Sequence, residues 1–349
     1  MRDNNDLYKI VGQMMQSGKG ILAADESDPT AGKRLESVGL PNEPEHRQDF
    51  RELLFTAPGI EEYISGVIMY DSSIKNTTDD GIPFPDVLTA RGIVPGIKVD
   101  MGKGPLHGFP GEVVSQGLDN LAERFKEYYA LGARFSKWRA VITIGPNAAD
   151  AARTSERIPT DECLEINAVM LARYASIAQE SGIVPMVEPE VIFAGDHSIK
   201  DAEMVTTRTI QILFHTLQKY RVDLKGLILK TSMVLAGDQY KEQSSPEEVA
   251  GATLRALHLG VPYETGGIVF LSGGQAAKRA TENLNAIGKM GEQPWSITSS
   301  FSRALEEPVL TAWQGKPENI EKAQKALLHR AKMNSLAQQG KYDKTNDNA

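Results

Sequence analysis

The chain has 349 residues, of which 41% are hydrophobic, and this content is ample for a large core. Its 38 lysines and arginines against 46 aspartates and glutamates give a net charge of −8, which argues against nucleic acid as a partner, so any anion must be bound by a local basic cluster. The single cysteine, Cys163, excludes intrachain disulfides and thiolate metal cages and is compatible with a reducing compartment.

The sequence lacks three further features. No window reaches the roughly 18 apolar residues that a membrane span requires, and the first residues have no apolar segment typical of a signal peptide. The six histidines show no i, i+4 pair, so a His-bound catalytic metal is not expected. We therefore expect a cytoplasmic protein without a metal, another cofactor or a membrane partner.

Eight apolar runs alternate with helical segments along the chain. The predicted strands are residues 21–24, 66–70, 93–99, 134–142, 182–190, 224–230, 266–271 and 295–300. The predicted helices are residues 4–17, 48–54 with 60–63, 117–131, 161–180, 200–220, 245–258, a segment after Gln275, and 318–336. A loop over Asp28–Arg34 is expected to lead into a helix start, and a polar, mobile tail is expected over about residues 338–349.

This alternation, with no linker or break in composition, predicts a single-domain (β/α)8 barrel over residues 1–349 with an additional N-terminal helix. In such barrels the chemistry collects at the carboxyl ends of the strands. Polar and charged residues lie at or near these ends: Asp25, Lys98, Lys137, Arg139, Glu188, Glu190, Lys230, Ser272 and Arg303. Clustering them costs desolvation that only pairing offsets, so the pattern favours a functional site.

Two pairs in this set share a strand face, because residues two apart in a strand point the same way. Lys137 and Arg139 place two cations together, and Glu188 and Glu190 place two carboxylates together. Like charges at short range are expected to push one carboxyl pKa upward and to keep that group protonated as an acid.

Lys230 ends the apolar run that starts at Leu224. Taken alone, such a lysine can simply extend to solvent past an apolar strand. Beside Lys137 and Arg139, desolvation and like charge would instead favour its free amine, which can attack a carbonyl and form a Schiff base. A neighbouring Glu188 or Glu190 could then shuttle protons during dehydration.

An anion site is expected after the seventh predicted strand, where Ser272 and Gly273 open a glycine-rich turn. An ordinary glycine turn is the alternative, but Arg303 after the eighth strand supplies a counter-charge. Lys33, Arg34 and Lys98 lie on other segments and could bind a second anion. These residues together predict a Schiff-base enzyme for a phosphorylated carbonyl compound.

Several short motifs resemble those of class I fructose-1,6-bisphosphate aldolase, and they follow the family's order along nearly the whole chain. They are Gly20-Ile-Leu-Ala-Ala-Asp-Glu-Ser27, Gly96-Ile-Lys-Val-Asp100, Lys137-Trp-Arg139, Val187-Glu-Pro-Glu190, Leu229-Lys230 with Met233, Leu271-Ser-Gly-Gly-Gln275 and Arg303-Ala-Leu305. The resemblance implies a metal-free (β/α)8 barrel, usually a homotetramer, that reversibly cleaves fructose 1,6-bisphosphate to dihydroxyacetone phosphate and glyceraldehyde 3-phosphate.

The resemblance also implies roles for individual residues. Lys230 would form the Schiff base and Glu188 would be the main proton shuttle, while Glu190 and Lys137 support Lys230. Asp25 would position the substrate and assist C–C cleavage. The remaining positions would bind the substrate: Ser272, Gly273 and Arg303 the ketone-end phosphate, Lys33, Arg34 and Lys98 the other phosphate, and Arg139 the region near C4.

Three departures from the family's motifs accompany this resemblance. Thr231 and Ser232 follow the lysine where many relatives have proline and asparagine, and Ser302 stands where glycine is expected. The chain ends at Asn348-Ala349, whereas many animal and plant members end in a tyrosine that assists enamine protonation. We expect this protonation to be slower here, or to use water or another acid.

Two other functions remain open at this stage. One is a Schiff-base aldolase for another sugar phosphate, which needs only one phosphate site. The other is a non-catalytic barrel that serves as a scaffold, although the lysine and both glutamates are intact.

Overall fold

The computed structural model describes residues 4–146 and 157–347. The strands in this part of the chain are β1 Gly20–Ala24, β2 Ile64–Met69, β3 Val94–Lys98, β4 Lys103–Pro105, β5 Val113–Ser115, β6 Phe135–Ile142, β7 Gly145–Pro146, β8 Arg157–Ile158, β9 Val184–Val191, β10 Ile228–Thr231, β11 Gly267–Phe270 and β12 Ile297–Phe301. Eight of them close a parallel barrel in the order β1, β2, β3, β6, β9, β10, β11, β12. The pairs β4–β5 and β7–β8 form small antiparallel sheets outside it. The predicted (β/α)8 barrel is confirmed.

Helices surround the barrel. They are α1 Asn5–Met14, α2 Asp28–Glu36, α3 Pro44–Phe55, α4 Asp71–Ile74, α5 Phe84–Ala90, α6 Leu121–Ala130, α7 Asp161–Glu180, α8 Ile199–Lys219, α9 Pro246–Gly260, α10 Ala277–Lys289, α11 Arg303–Trp313 and α12 Ile320–Gln338. Among the described residues, no helix combines the length and the apolar character that a bilayer crossing demands.

Local sequence explains where several of these helices begin. Ser198 and Ser245 precede α8 and α9, and each forms a capping box in which the serine hydroxyl accepts a hydrogen bond from the third helical residue. The side chain of Thr160 likewise accepts from the backbone N–H of Cys163 at the start of α7. These caps set the first residues of α7, α8 and α9, the helices that flank the strands β9 and β10.

The N-terminal helix α1 closes one end of the barrel. Its apolar side chains Leu7, Val11 and Met14 belong to the same buried cluster as the inward-facing strand residues Phe135 and Met186. Because this cluster fills the interior near the amino ends of the strands, the open space of the barrel lies at their carboxyl ends.

The loop predicted over Asp28–Arg34 is wrong, because these residues belong to the helix α2. Ser27 precedes the helix in an extended conformation, and Pro29 lies in its first turn, where the missing N–H costs nothing. Successive helical residues point about 100° apart, so Lys33 and Arg34 face different directions.

Tyr342 and Asp347, in the segment after α12, are buried against the helices α10 and α12, and the mobility of this tail stays a prediction. Asp347 is 1% exposed and accepts hydrogen bonds from Arg330, Tyr342 and His329. The buried guanidinium of Arg330 needs a carboxylate partner, and Asp347 supplies it. Residues 348 and 349 lie outside the described part.

The close packing of β3 against β6 gives a stability prediction. A Cβ at Gly96 would lie 2.3 Å from the ring of Phe135, whereas nothing lies within 4 Å of one at Gly12 in α1. We expect Gly96→Ala to destabilise the fold by about 1–3 kcal/mol through overpacking. Gly12→Ala, the matched control, should stabilise it by about 0.5–1 kcal/mol. Denaturant-unfolding midpoints measure both effects, and equal midpoints for the two variants would contradict this packing.

Candidate active site

A cavity of about 1070 Å³ opens at the carboxyl ends of the barrel strands. Strand pairing positions its side chains, since Lys98 on β3 is in register with Lys137 on β6, and Arg139 is in register with Glu188 on β9. The predicted site residues that line the cavity are Asp25, Arg34, Lys98, Lys137, Arg139, Glu188, Glu190, Lys230, Ser272, Gly273 and Arg303.

Lys33 is the exception among the predicted site residues. It is exposed on α2 and does not line this cavity, whereas its neighbour Arg34 does. The two cations were predicted to share one role because the segment was predicted to be a loop. The helix separates them.

Four buried ionic groups form a connected chain at the base of the cavity. Lys230 Nζ on β10 lies 3.4 Å from Glu188 Oε1 on β9. The other oxygen of Glu188 lies 3.1 Å from Lys137 Nζ on β6, and Lys137 lies 2.7 Å from Asp25 Oδ2, directly after β1. Each amine is 4% exposed, so the chain lies in a water-poor environment.

The neighbouring charges decide whether the carboxyl groups of Glu188 and Asp25 are ionised. Burial opposes ionisation of Glu188, but Lys137, Lys230 and Arg139 outweigh it and hold the pKa of this carboxyl below its usual value. Burial likewise opposes ionisation of Asp25, yet Lys137 and Lys230 hold its pKa well below the usual range. Glu188 is therefore ionised and is not the member of the Glu188–Glu190 pair that like charge keeps protonated, because three cations face it.

Lys137 is held as a cation. Burial alone would lower the pKa of its amine, but Asp25 and Glu188 raise that pKa far above its usual value. Lys137 therefore supplies a fixed positive charge next to Lys230. Of the two lysines, only Lys230 remains a candidate nucleophile.

A second ionic pair lies at the ends of β3 and β6, on the side of the barrel across from β11 and β12, and it includes a residue that was not among the predicted site residues. Asp100, just beyond β3, pairs with Lys98 at 2.7 Å and accepts a hydrogen bond from the backbone N–H of Arg139 at 3.2 Å. The side chain of Arg139 in turn binds Glu190. Asp100 could have been found, because it is a carboxylate at the end of a predicted strand.

The wall formed by the ends of β11 and β12 carries donors for an anion. Gly273 and Gly274 adopt positive φ angles of 57° and 89°, which bend the chain along the cavity beside the buried Ser272. Arg303 is exposed there and has no hydrogen-bond or ion-pair partner among the described residues. Arg34 donates to Ser302 Oγ at 3.0 Å, so it lies on this wall rather than beside Lys98 as predicted.

Two serines that depart from the family's motifs, Ser232 and Ser302, form hydrogen bonds in the structure. The hydroxyl of Ser232 donates to the backbone oxygen of Val191 at 2.8 Å, which ties the end of β10 to the end of β9. The hydroxyl of Ser302 donates to Glu26. Tyr342, which donates to Asp347, does not line the cavity.

The arrangement suits carbonyl chemistry on an anionic substrate. A buried amine lies beside a carboxylate that can move protons, and a fixed cation lies next to both. Separate cations on two walls of the cavity can bind two negative ends of one molecule.

Comparisons with known proteins agree with this geometry. The sequence model of the family described as "Fructose-bisphosphate aldolase class-I" matches residues 6–349. A Xanthomonas axonopodis protein named "Probable fructose-bisphosphate aldolase class 1" is 48% identical over 96% of this chain and 98% of its own length. An Arabidopsis thaliana protein named "Fructose-bisphosphate aldolase 4, cytosolic" is 47% identical over 93% of this chain and 80% of its own length.

A solved structure is similar throughout. It is a fructose-bisphosphate aldolase from Plasmodium falciparum, in complex with TRAP and a small-molecule inhibitor, with a TM-score of 0.94 and 43% identity. The match covers 97% of this chain and 96% of the Plasmodium chain.

Proposed function

The chain belongs to the class-I fructose-bisphosphate aldolase family, and from this we propose that it cleaves fructose 1,6-bisphosphate reversibly through a Schiff base on Lys230. The products are dihydroxyacetone phosphate and glyceraldehyde 3-phosphate, a reaction of glycolysis and gluconeogenesis. The observation that carries the proposal is the buried contact chain Lys230–Glu188–Lys137–Asp25 at the base of the cavity.

Schiff-base formation begins with proton transfer between Lys230 and Glu188. The ionised Glu188 accepts a proton from the ammonium of Lys230, and the free amine attacks the ketone carbon of the substrate. Proton transfer from nitrogen to oxygen gives a neutral carbinolamine. Glu188, now protonated, returns its proton to the carbinolamine hydroxyl, which leaves as water, and the nitrogen lone pair forms the iminium.

Carbon–carbon cleavage uses the same carboxylate. Glu188 accepts the proton of the C4 hydroxyl, the C3–C4 bond breaks, and its electron pair moves into the iminium to give an enamine and the aldehyde product. The cation Lys137 and the carboxylate Asp25 position the reacting groups, and Arg139 with Glu190 lies on the C4 side. Protonation of the enamine and hydrolysis of the iminium then release dihydroxyacetone phosphate.

The two phosphates bind on separate walls. Ser272, Gly273, Arg303 and Arg34 bind the phosphate at the ketone end, and Lys98 binds the other phosphate. Lys33 has no role in this proposal, because it is exposed outside the cavity.

A Schiff-base aldolase for a monophosphate is the competing function, and the second cationic wall argues against it. A charge-assisted phosphate contact of about 1.5–3 kcal/mol predicts that kcat/KM for the bisphosphate exceeds that for fructose 1-phosphate by about 10- to 100-fold. Lys98→Met should reduce this preference and leave fructose 1-phosphate cleavage nearly unchanged. Equal kcat/KM values for the two substrates with the unaltered protein would contradict a second phosphate site.

We also propose a cytoplasmic location and a homo-oligomeric state, a tetramer by resemblance to the family. The Arabidopsis relative named cytosolic supports the location. The non-catalytic scaffold has no supporting observation, because the amine and both glutamates are present and in place.

A further inference from the structure

A buried four-membered ionic ring lies behind the phosphate wall that contains Arg303. The carboxylate of Glu26, which follows Asp25, contacts both Arg34 of α2 and Arg51 of α3, the former at 2.5 Å. Glu306, in the first turn of α11, also contacts both arginines, with Arg51 at 3.2 Å. Two arginines are therefore shared by two carboxylates.

The members of this ring differ in exposure. The side chains of Glu26, Arg51 and Glu306 are 4%, 4% and 1% exposed, whereas that of Arg34 is 23% exposed. Arg34 also lines the cavity, where it donates to Ser302 beside Arg303. It is therefore the member that can turn towards an anion.

Charge balance limits that movement. With both carboxylates ionised the ring is neutral, because the two carboxylates balance the charges of Arg34 and Arg51. When Arg34 turns to an anion, Glu26 and Glu306 share Arg51 alone, and the buried ring is left with one uncompensated negative charge. Such a charge is costly in a low-dielectric interior unless one carboxylate takes up a proton.

We propose that Glu306 is a positioning residue that holds Arg34 in the ring, and that Glu306, where it is ionised in the free protein, takes up a proton when Arg34 binds an anionic group of the substrate. This inference deepens the proposed function and rests on it, since the anion is the ketone-end phosphate. Glu306 and not Glu26 takes the proton, because Glu26 also accepts a hydrogen bond from Ser302 and has the shorter contact to Arg51, the arginine that stays in the ring.

The electrostatic surroundings of Glu306 agree with this assignment. The charged groups that face it among the described residues are Glu26, Arg34 and Arg51. Burial and the Glu26 carboxylate raise the pKa of Glu306 to about 8, against the opposing effect of the two arginines. When Arg34 leaves Glu306 to bind a phosphate, the pKa of Glu306 rises further.

The protonation of Glu306 makes the affinity for the bisphosphate depend on pH. Below pH about 8, Glu306 is already protonated in the free protein and binding takes up no proton. Above pH about 8, the free protein carries the ionised form and binding must take up one proton, so affinity falls by up to about tenfold per pH unit.

The test uses a hexitol 1,6-bisphosphate, which keeps both phosphates but lacks the ketone, between pH 7.5 and 9.5. Phosphate monoesters titrate near pH 6, so the ligand's charge is constant in this range. The dissociation constant for the unaltered protein should rise above pH 8, and that for Glu306→Gln should stay flat. Glu307→Gln removes the same charge from the exposed neighbour on α11 and should follow the unaltered protein.

Calorimetry of the unaltered protein in two buffers of different ionisation enthalpy supplies a second measurement that needs no variant. Uptake approaching one proton is expected at pH 9, and uptake near zero would overturn the proposal. Proton uptake that persists in Glu306→Gln would overturn it as well. If instead no bisphosphate binds at any pH, the proposed function itself fails, which is a distinct outcome.

Discussion

Replacing Lys230 with methionine is expected to lower kcat for fructose 1,6-bisphosphate cleavage by about 10⁴-fold or more, because the side chain that forms the covalent intermediate is lost. Methionine fills a similar volume and is tolerated in a buried strand, so the fold should persist. A coupled assay of triose phosphate release measures the effect. Circular dichroism checks the fold.

Lys225→Met is the matched control for this experiment. Lys225 is an exposed lysine five positions before Lys230, and its loss should leave kcat unchanged. A Lys230→Met protein that retains about a tenth of the normal kcat would show that the amine is not the nucleophile.

Replacing Glu188 with glutamine is expected to reduce kcat by about 10²–10⁴-fold while changing KM little. Glutamine keeps the shape of the side chain but can neither accept the proton of Lys230 nor return it to the carbinolamine. Dehydration should become the slow step, so the covalent intermediate should accumulate before the iminium forms. Steady-state and single-turnover kinetics measure the two effects.

Glu165→Gln, on the exposed face of α7, controls for the loss of one negative charge. A Glu188→Gln protein with normal kcat and a raised KM would mean that Glu188 contributes to binding only.

The barrel could be predicted from the sequence because each strand is a short apolar run that ends near a polar or charged residue. Burial on both faces makes parallel strands read as continuous apolar segments, and the carboxyl-end rule then gathers their charged ends into one site. Lys230, Glu188 and Lys137 were found in this way. The rule applies to these three residues however far apart they lie along the chain.

The ionic ring around Glu306 could not be predicted in the same way. Glu306 and Glu307 are adjacent acids in a helix, and the sequence does not reveal that one is buried and the other exposed. The partners Arg34 and Arg51 come from helices more than 250 positions away, so only tertiary packing brings them together. The ionised state of Glu188 was not predicted for the same reason, because it depends on cations from other strands.

The start of α2 was predicted too late because Asp28–Arg34 has no apolar periodicity. Its capping residue and first-turn proline are present in the sequence, but without a periodic pattern they also fit a turn. The consequence for function was the pairing of Lys33 with Arg34, which the helix separates.

The central claim is that Lys230 forms a Schiff base with the ketone substrate, and borohydride trapping tests it most directly. The protein is incubated with dihydroxyacetone phosphate, reduced with borohydride and digested, and the modified peptide is mapped by mass spectrometry. We predict one adduct, on the peptide that contains Lys230, and no adduct in Lys230→Met. Absence of an adduct, or an adduct on another lysine such as Lys137, would contradict the mechanism.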